Sequence, residues 1–225
     1  MALLGHVARW LDGSLSPGSF QTARLAEPPV PVYFLALIHY LNSASPRALA
    51  SFGPALEVGH QEYTELEYIL TTIPRRAGIL AVLLGTLLGI TSVYSGPASW
   101  GLSANPSVGT TAFVVLMAAA INVGALLWVV HTIRQLRTVD RIHRMATNLN
   151  LLHREPLYAF SGLTLRTSIG ALLIVYYYHF LASYPDVWEQ QANLTAIDAA
   201  TIGLTIATAL TAFILPLSSM HRRLV

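Results

Sequence analysis

Neither cysteine nor lysine occurs anywhere in the 225 residues. The first absence excludes disulfides, thiolate metal sites and cysteine nucleophiles, and leaves the redox compartment open. The second makes every basic residue an arginine. Charge of both signs is scarce: Asp, Glu, Lys and Arg together make 11% of the chain, against about 25% in a soluble domain. A net charge of +2 is too small to imply a nucleic-acid partner, and none is expected. Also missing are the glycine-rich dinucleotide fingerprint, the Gly-x-Ser-x-Gly elbow, the phosphate loop and the His-Glu-x-x-His zinc pattern. Asp140 and His143 share a helix face, but His131 and His153 lie too far along to join them in a metal site. No catalytic residue, cofactor or metal is therefore expected. Met1 to Leu11 mixes His6 and Arg9 with its apolar residues, which is unlike a secretory signal.

What is present is apolar residue in long runs, 54% of the chain in all. Four runs have the length of a bilayer crossing: about 77–94, 111–130, 167–181 and 199–217. The first covers about 27 Å at 1.5 Å per residue, just enough for the hydrocarbon core. The third is short and needs its flanks. Before the fourth, Thr195 and Asp198 form a pair like a capping box. The fold expected is an all-α integral membrane protein, four transmembrane helices in an antiparallel bundle.

Arginine is distributed unevenly about these runs. The connections 95–110 and 183–198 carry none, whereas Arg75 and Arg76 precede the first run and Arg222 and Arg223 follow the last. Arg134, Arg137, Arg141, Arg144, Arg154 and Arg166 all lie between the second and third. The positive-inside rule places these in the cytoplasm of an inner or plasma membrane, with both chain ends there.

Residues 1–76 form a separate cytoplasmic or interfacial helical region in this reading. Leu3, Leu4, Val7, Trp10 and Leu11 recur at helical spacing opposite His6, Arg9 and Asp12, so the start of the chain reads as a short amphipathic helix that Gly13-Ser14 ends. It either packs on its own protein or lies in the interface with Trp10 at headgroup level. Val30 to Leu41 is too short to cross unaided, and Pro46, Gly53 and Pro54 predict a loop or broken helix over 43–59. His60 to Ile73 returns to helical period. The second crossing continues as a stalk, 131–165, whose helix reaches about His153 and stops at Glu155-Pro156. Its stripe of Ile133, Leu136, Ile142, Met145, Leu149 and Leu152 cannot stand exposed, so it packs on the amino-terminal helices or on a partner.

Three groups of residues are candidates for function. Asn122 and the face formed by Thr201, Thr205 and Thr208 are intramembrane polar positions, able to line a path or to bond back to helix backbone. Arg134, Arg137, Arg141 and Arg144 suit anionic lipid headgroups or an acidic partner. Gly85, Gly89 and Gly203 suit close helix packing; Gly85–Gly89, Ala120–Gly124 and Gly203–Ala207 are the small-residue pairs. The chain's asymmetry points to a non-enzymatic membrane module, an anchor, assembly subunit or signal-relaying domain acting on the cytoplasmic side. Its partners are then the lipid bilayer and a protein or second copy met through the stalk. The alternative is a small oligomeric channel or transporter using Asn122 and the threonine face.

Overall fold

A computed structural model describes residues 2–13, 15–103, 105–146 and 158–182, and beyond them Gly203, Ile206, Ala207 and Leu210. Every regular element among the described residues is helical. In chain order these are α1 (Ala2–Leu11), α2 (Thr22–Ala26), α3 (Pro29–Phe52), α4 (His60–Thr71), α5 (Arg75–Ser95), α6 (Val108–Met145) and α7 (Ser161–Ala182). Short 3-10 turns at Gly53–Ala55 and Pro97–Trp100 follow α3 and α5. The runs His60–Ser95 and Val108–Met145 are long and apolar enough to cross a membrane. The fourth expected crossing lies outside the described residues except for the four helical positions just named, as does the stalk from 147 to 157.

The expectation for 30–59 needs correction. Instead of stopping at Leu41, α3 runs unbroken for 24 residues, about 36 Å, straight through Pro46. The run Asn42 to Pro46 looked like a terminus because it is polar and ends in proline. In the structure the hydroxyls of that run bond to the helix's own carbonyls. Ser43 Oγ donates to His39 O at 3.0 Å and Ser45 Oγ to Leu41 O at 2.8 Å. These bonds keep the hydroxyls within the helix, and burial of Leu41, Ala44, Ala48 and Leu49 on either side of Pro46 supplies packing that outweighs its local signal.

The chain divides into two compact units that interleave its length. The first comprises Met1–Leu35, Ile79–Leu127 and Ile174–Leu204. Within it α5 and α6 approach closely through Gly85 and Gly89. A Cβ on Gly85 would lie 2.6 Å from Val123 Cα, and one on Gly89 2.5 Å from Ala119 N. The facing residues on α6 are thus Ala119 and Val123. Gly124 instead meets α3, with Phe34 and Pro31 about it. Trp100 is buried and donates its indole N–H to Ser92 Oγ at 2.9 Å, which ties the turn after α5 back to that helix.

Also in the first unit, α1 and α2 pack on the connection between α5 and α6. Bonds of Arg9, Arg24 and Asp12 hold residues 2–26 against residues 96–110.

The second unit comprises Ala36–Gly78, Trp128–Leu173 and Thr205–Val225. Here α3 and α6 run parallel, Ser45 beside Gln135 and, further along both helices, Phe52 beside His143. Of the apolar stripe of the α6 extension, Leu136 and Ile142 are core residues, with Val139 between them, whereas Ile133 is exposed and Leu149 and Leu152 lie outside the described residues. Phe52, His143 and Phe160 form a ring cluster with centroids 5.3–5.6 Å apart, joining α3, α6 and the approach to α7. Gly170 of α7 faces Leu37 of α3.

Candidate functional site

Asn122 is buried as the sequence suggests, but its amide donates to Ala118 O, one turn back on α6, at 2.9 Å. That bond uses the group for the helix itself. Thr201, Thr205 and Thr208 lie outside the described residues. At Gly203 a Cβ would meet nothing within 4 Å, so no close helix contact is made there among the described residues.

The buried polar groups concentrate instead in the second unit, on the seam between α3 and α6. Gln135 Nε2 donates to Ser45 Oγ at 2.6 Å and to Leu70 O at 3.3 Å, so one amide links α6, α3 and the end of α4. Beside it Arg134 Nε donates to Ile69 O at 3.2 Å. The last carbonyls of a helix have no partner within it, and these two side chains supply donors for those of α4. One turn before Gln135, His131 is buried with no hydrogen-bond partner on either ring nitrogen among the described residues. Thr132 Oγ1 and Asn42 Oδ1 are likewise buried and unbonded. Sequence reading found Gln135 unremarkable because its partners lie 65 and 90 positions away.

The four stalk arginines separate into two kinds. Arg134 is half-buried against α4, whereas Arg137, Arg141 and Arg144 are exposed. Arg144 pairs with Asp140 at 2.7 Å, one turn earlier. An exposed pair of this kind contributes little stability, so the arginine ridge is available for other contacts. On α4 of the same unit Glu62, Glu65 and Tyr68 are exposed too. Arg166 lies with its guanidinium carbon 5.8 Å from the Tyr40 ring centroid, a cation–π contact.

In the first unit a second polar cluster joins α1 and α2 to the α5–α6 connection. Arg9 donates to Gln21 Oε1 at 3.0 Å and to Trp100 O at 3.1 Å. Arg24 donates to Ser99 O at 3.1 Å and pairs with Glu27. Thr110 donates to Asp12, and the Gln21 backbone N–H to His6 Nε2 at 3.1 Å. Gly101 has φ +61°, the left-handed region, and a Cβ there would sit 2.6 Å from the Arg24 guanidinium. Glycine is required on both counts. Burial first, and then neighbouring Arg24, lowers the Arg9 pKa to about 10 against the opposing pull of Glu27 and Asp12. At neutral pH Arg9 stays a buried cation, held by carbonyl oxygens. Most of these bonds end on backbone groups, so the cluster fixes the α5–α6 connection against α1 and α2. No group of three or more metal-ligating side chains occurs among the described residues.

No protein family, curated protein or solved structure matches the chain.

Proposed function

We propose that the chain is an integral membrane module of non-enzymatic type, an anchor or assembly subunit that works through its cytoplasmic side. The membrane reading rests on an inverted burial pattern. On α5 the buried positions are Ala81, Gly85, Gly89, Ser92 and Val93, whereas Ile79, Leu80, Leu83 and Leu87 are 50–63% exposed. On α7 Thr164, Thr167 and Ser168 are buried while Leu165, Ile169, Leu172 and Leu173 face outward. Water would penalise each exposed leucine by roughly 1.5–3 kcal/mol relative to burial; a hydrocarbon solvent removes that penalty. Small residues between helices and large ones outside are the arrangement that lipid favours.

The single observation that carries the functional reading is the ridge of Arg137, Arg141 and Arg144. These side chains project from an α6 extension whose Leu136, Val139 and Ile142 are already covered by its own chain. The extension is therefore a rigid platform, and what it offers a partner is positive charge. By the positive-inside rule this platform is cytoplasmic. An acidic protein surface suits it, and anionic headgroups add to its attraction at roughly 1 kcal/mol per arginine.

In-cell photo-crosslinking from position 141 tests this. Discrete protein adducts that disappear with Arg137→Gln and Arg144→Gln are expected. Absence of protein adducts from positions 137, 141 and 144 alike would remove the partner reading. Solute flux in proteoliposomes that Asn122→Leu abolishes, with folding retained, would establish a conducting protein in its place.

A further inference from the structure

In water an amphipathic helix buries its apolar face, and α1 does the reverse. His6 and Arg9 are 1% and 4% exposed, whereas Leu3, Leu4 and Leu11 are 63%, 61% and 84% exposed and Val7 points the same way. The polar face is the one that touches protein, through the bonds of Arg9, Asp12 and His6 described above. The apolar face is left for the solvent, and only a hydrocarbon solvent makes that face stable.

The orientation of α1 on α6 agrees. Gly5 packs on the Phe113 ring, and Asp12 accepts from Thr110. Seven residues along α1, about 10 Å, thus correspond to three along α6, only about 4.5 Å. If α6 crosses a bilayer, α1 lies closer to the membrane plane than to its normal, dipping at Leu3 and Leu4. One turn further along α6 from Phe113, Leu116 is 70% exposed. The stripe of α1 therefore continues an apolar surface that α6 already shows. Helix α2 and the end of this segment are tied down as well, since Tyr177 of α7 donates to Ala26 O at 2.5 Å.

We infer that α1 lies flat in the outer membrane–water interface, with Leu3, Leu4, Val7 and Leu11 among phospholipid acyl chains, and that α3 is a further crossing leading from there to the inner side. The inference rests on the membrane reading above. Because α3 runs parallel to α6, both traverse in the same sense. The arginine asymmetry survives: of the 13 basic residues only Arg9 and Arg24 move outside, and both are bonded to carbonyls with Asp12 and Glu27 beside them. Long segments apart, such neutralised and buried charges weigh little against the arginines flanking the crossings.

The chain's lack of cysteine makes the test direct. Single-cysteine variants Ser16→Cys, Ser103→Cys and Arg137→Cys, all at exposed positions, are treated with a membrane-impermeant maleimide in sealed right-side-out vesicles. Labelling of positions 16 and 103 without permeabilisation, and of 137 only after it, is the expected result. Position 16 labelling together with 137 overturns the inference and leaves the membrane reading standing. Equal labelling of 103 and 137 in sealed vesicles overturns the membrane reading, and this inference with it. A bimane dye on Leu4→Cys, and separately on Leu11→Cys, reports the lipid contact. Blue-shifted emission quenched by acyl-chain nitroxide lipid is expected; quenching by aqueous iodide alone at both positions overturns the contact.

Discussion

Gly89→Ala adds one methyl group where α5 meets α6 backbone to backbone. The new Cβ would stand 2.5 Å from Ala119 N, 2.6 Å from Ala119 Cα and 2.7 Å from Ala118 C. Carbon contacts settle near 3.5–4.0 Å, so the two helices must part by about 1 Å at this point. No side-chain rotation relieves the clash, because every near atom is backbone. Overpacking of this kind costs about 1–3 kcal/mol. The control is Gly78→Ala on the same helix, where the nearest atom is the Ile73 Cγ2 at an ordinary 3.7 Å. There alanine relieves a helical glycine and stabilises by roughly 0.5–1 kcal/mol. The same chemical change on one helix is thus expected to act with opposite sign, the variants separating by roughly 1.5–4 kcal/mol. Denaturant unfolding of purified protein, followed by the fluorescence of buried Trp100 and Trp128, measures both. Equal effects of the two substitutions, or stabilisation by Gly89→Ala, would show that α5 and α6 do not touch through their backbones here.

Gln135→Leu keeps the side-chain volume but removes both donated bonds, leaving Leu70 O without that donor; about 1–3 kcal/mol of destabilisation follows. Hydrogen exchange then accelerates first at the end of α4, and uniform acceleration across the chain contradicts the local role. His143→Phe preserves the ring cluster with Phe52 and Phe160 and changes stability by less than about 1.5 kcal/mol, whereas His143→Ala opens a cavity costing roughly 2–5 kcal/mol; equal losses in unfolding experiments argue that the ring is not packed. Trp100→Phe leaves the Ser92 hydroxyl without the indole donor, and a loss of about 1 kcal/mol with faster proteolysis of residues 96–107 is expected. Asn122→Leu replaces a bond made within one helix and is expected to shift stability by less than about 1 kcal/mol, read by the same fluorescence assay.

Much of the helical layout is visible in periodicity and hydropathy. Helices α4, α5 and the start of α6 lie within a few residues of their expected limits, whereas α7 begins at Ser161, six residues before the expected crossing at 167. The structure departs from the reading of α3 because Asn42 to Pro46 carries the local marks of a terminus, and only the packing of Leu41, Ala44, Ala48 and Leu49 overrides them. For α1 the spacing of Leu3, Leu4, Val7 and Leu11 does define a face. A period says which residues go together, however, and not which medium they meet. The polar seam of Ser45, Gln135 and the end of α4 could not be read at all. Its members are ordinary residues on three helices, and their meeting depends on the register between α3 and α6. Gly85 and Gly89 announce a close contact, but the partner face on α6, Ala119 with Val123, lies one position from the small-residue pair that composition favours. One position is about 100° of helix.

The bonds that seat α1 also order events during synthesis. Arg9 finds its carbonyl at Trp100, 91 residues later, and Asp12 its hydroxyl at Thr110, 98 residues later. Until α5 and the first turn of α6 have been made, the polar face of α1 has nothing to hold, and closing so long a loop is entropically the costlier for it. The amphipathic segment must therefore wait for its polar partners while four helices' worth of chain emerges. In the membrane reading proposed above, completion of the Arg9–Trp100 contact is then a signature that the α5–α6 hairpin has been inserted the right way round, since an inverted hairpin would present its connection on the far side of the membrane.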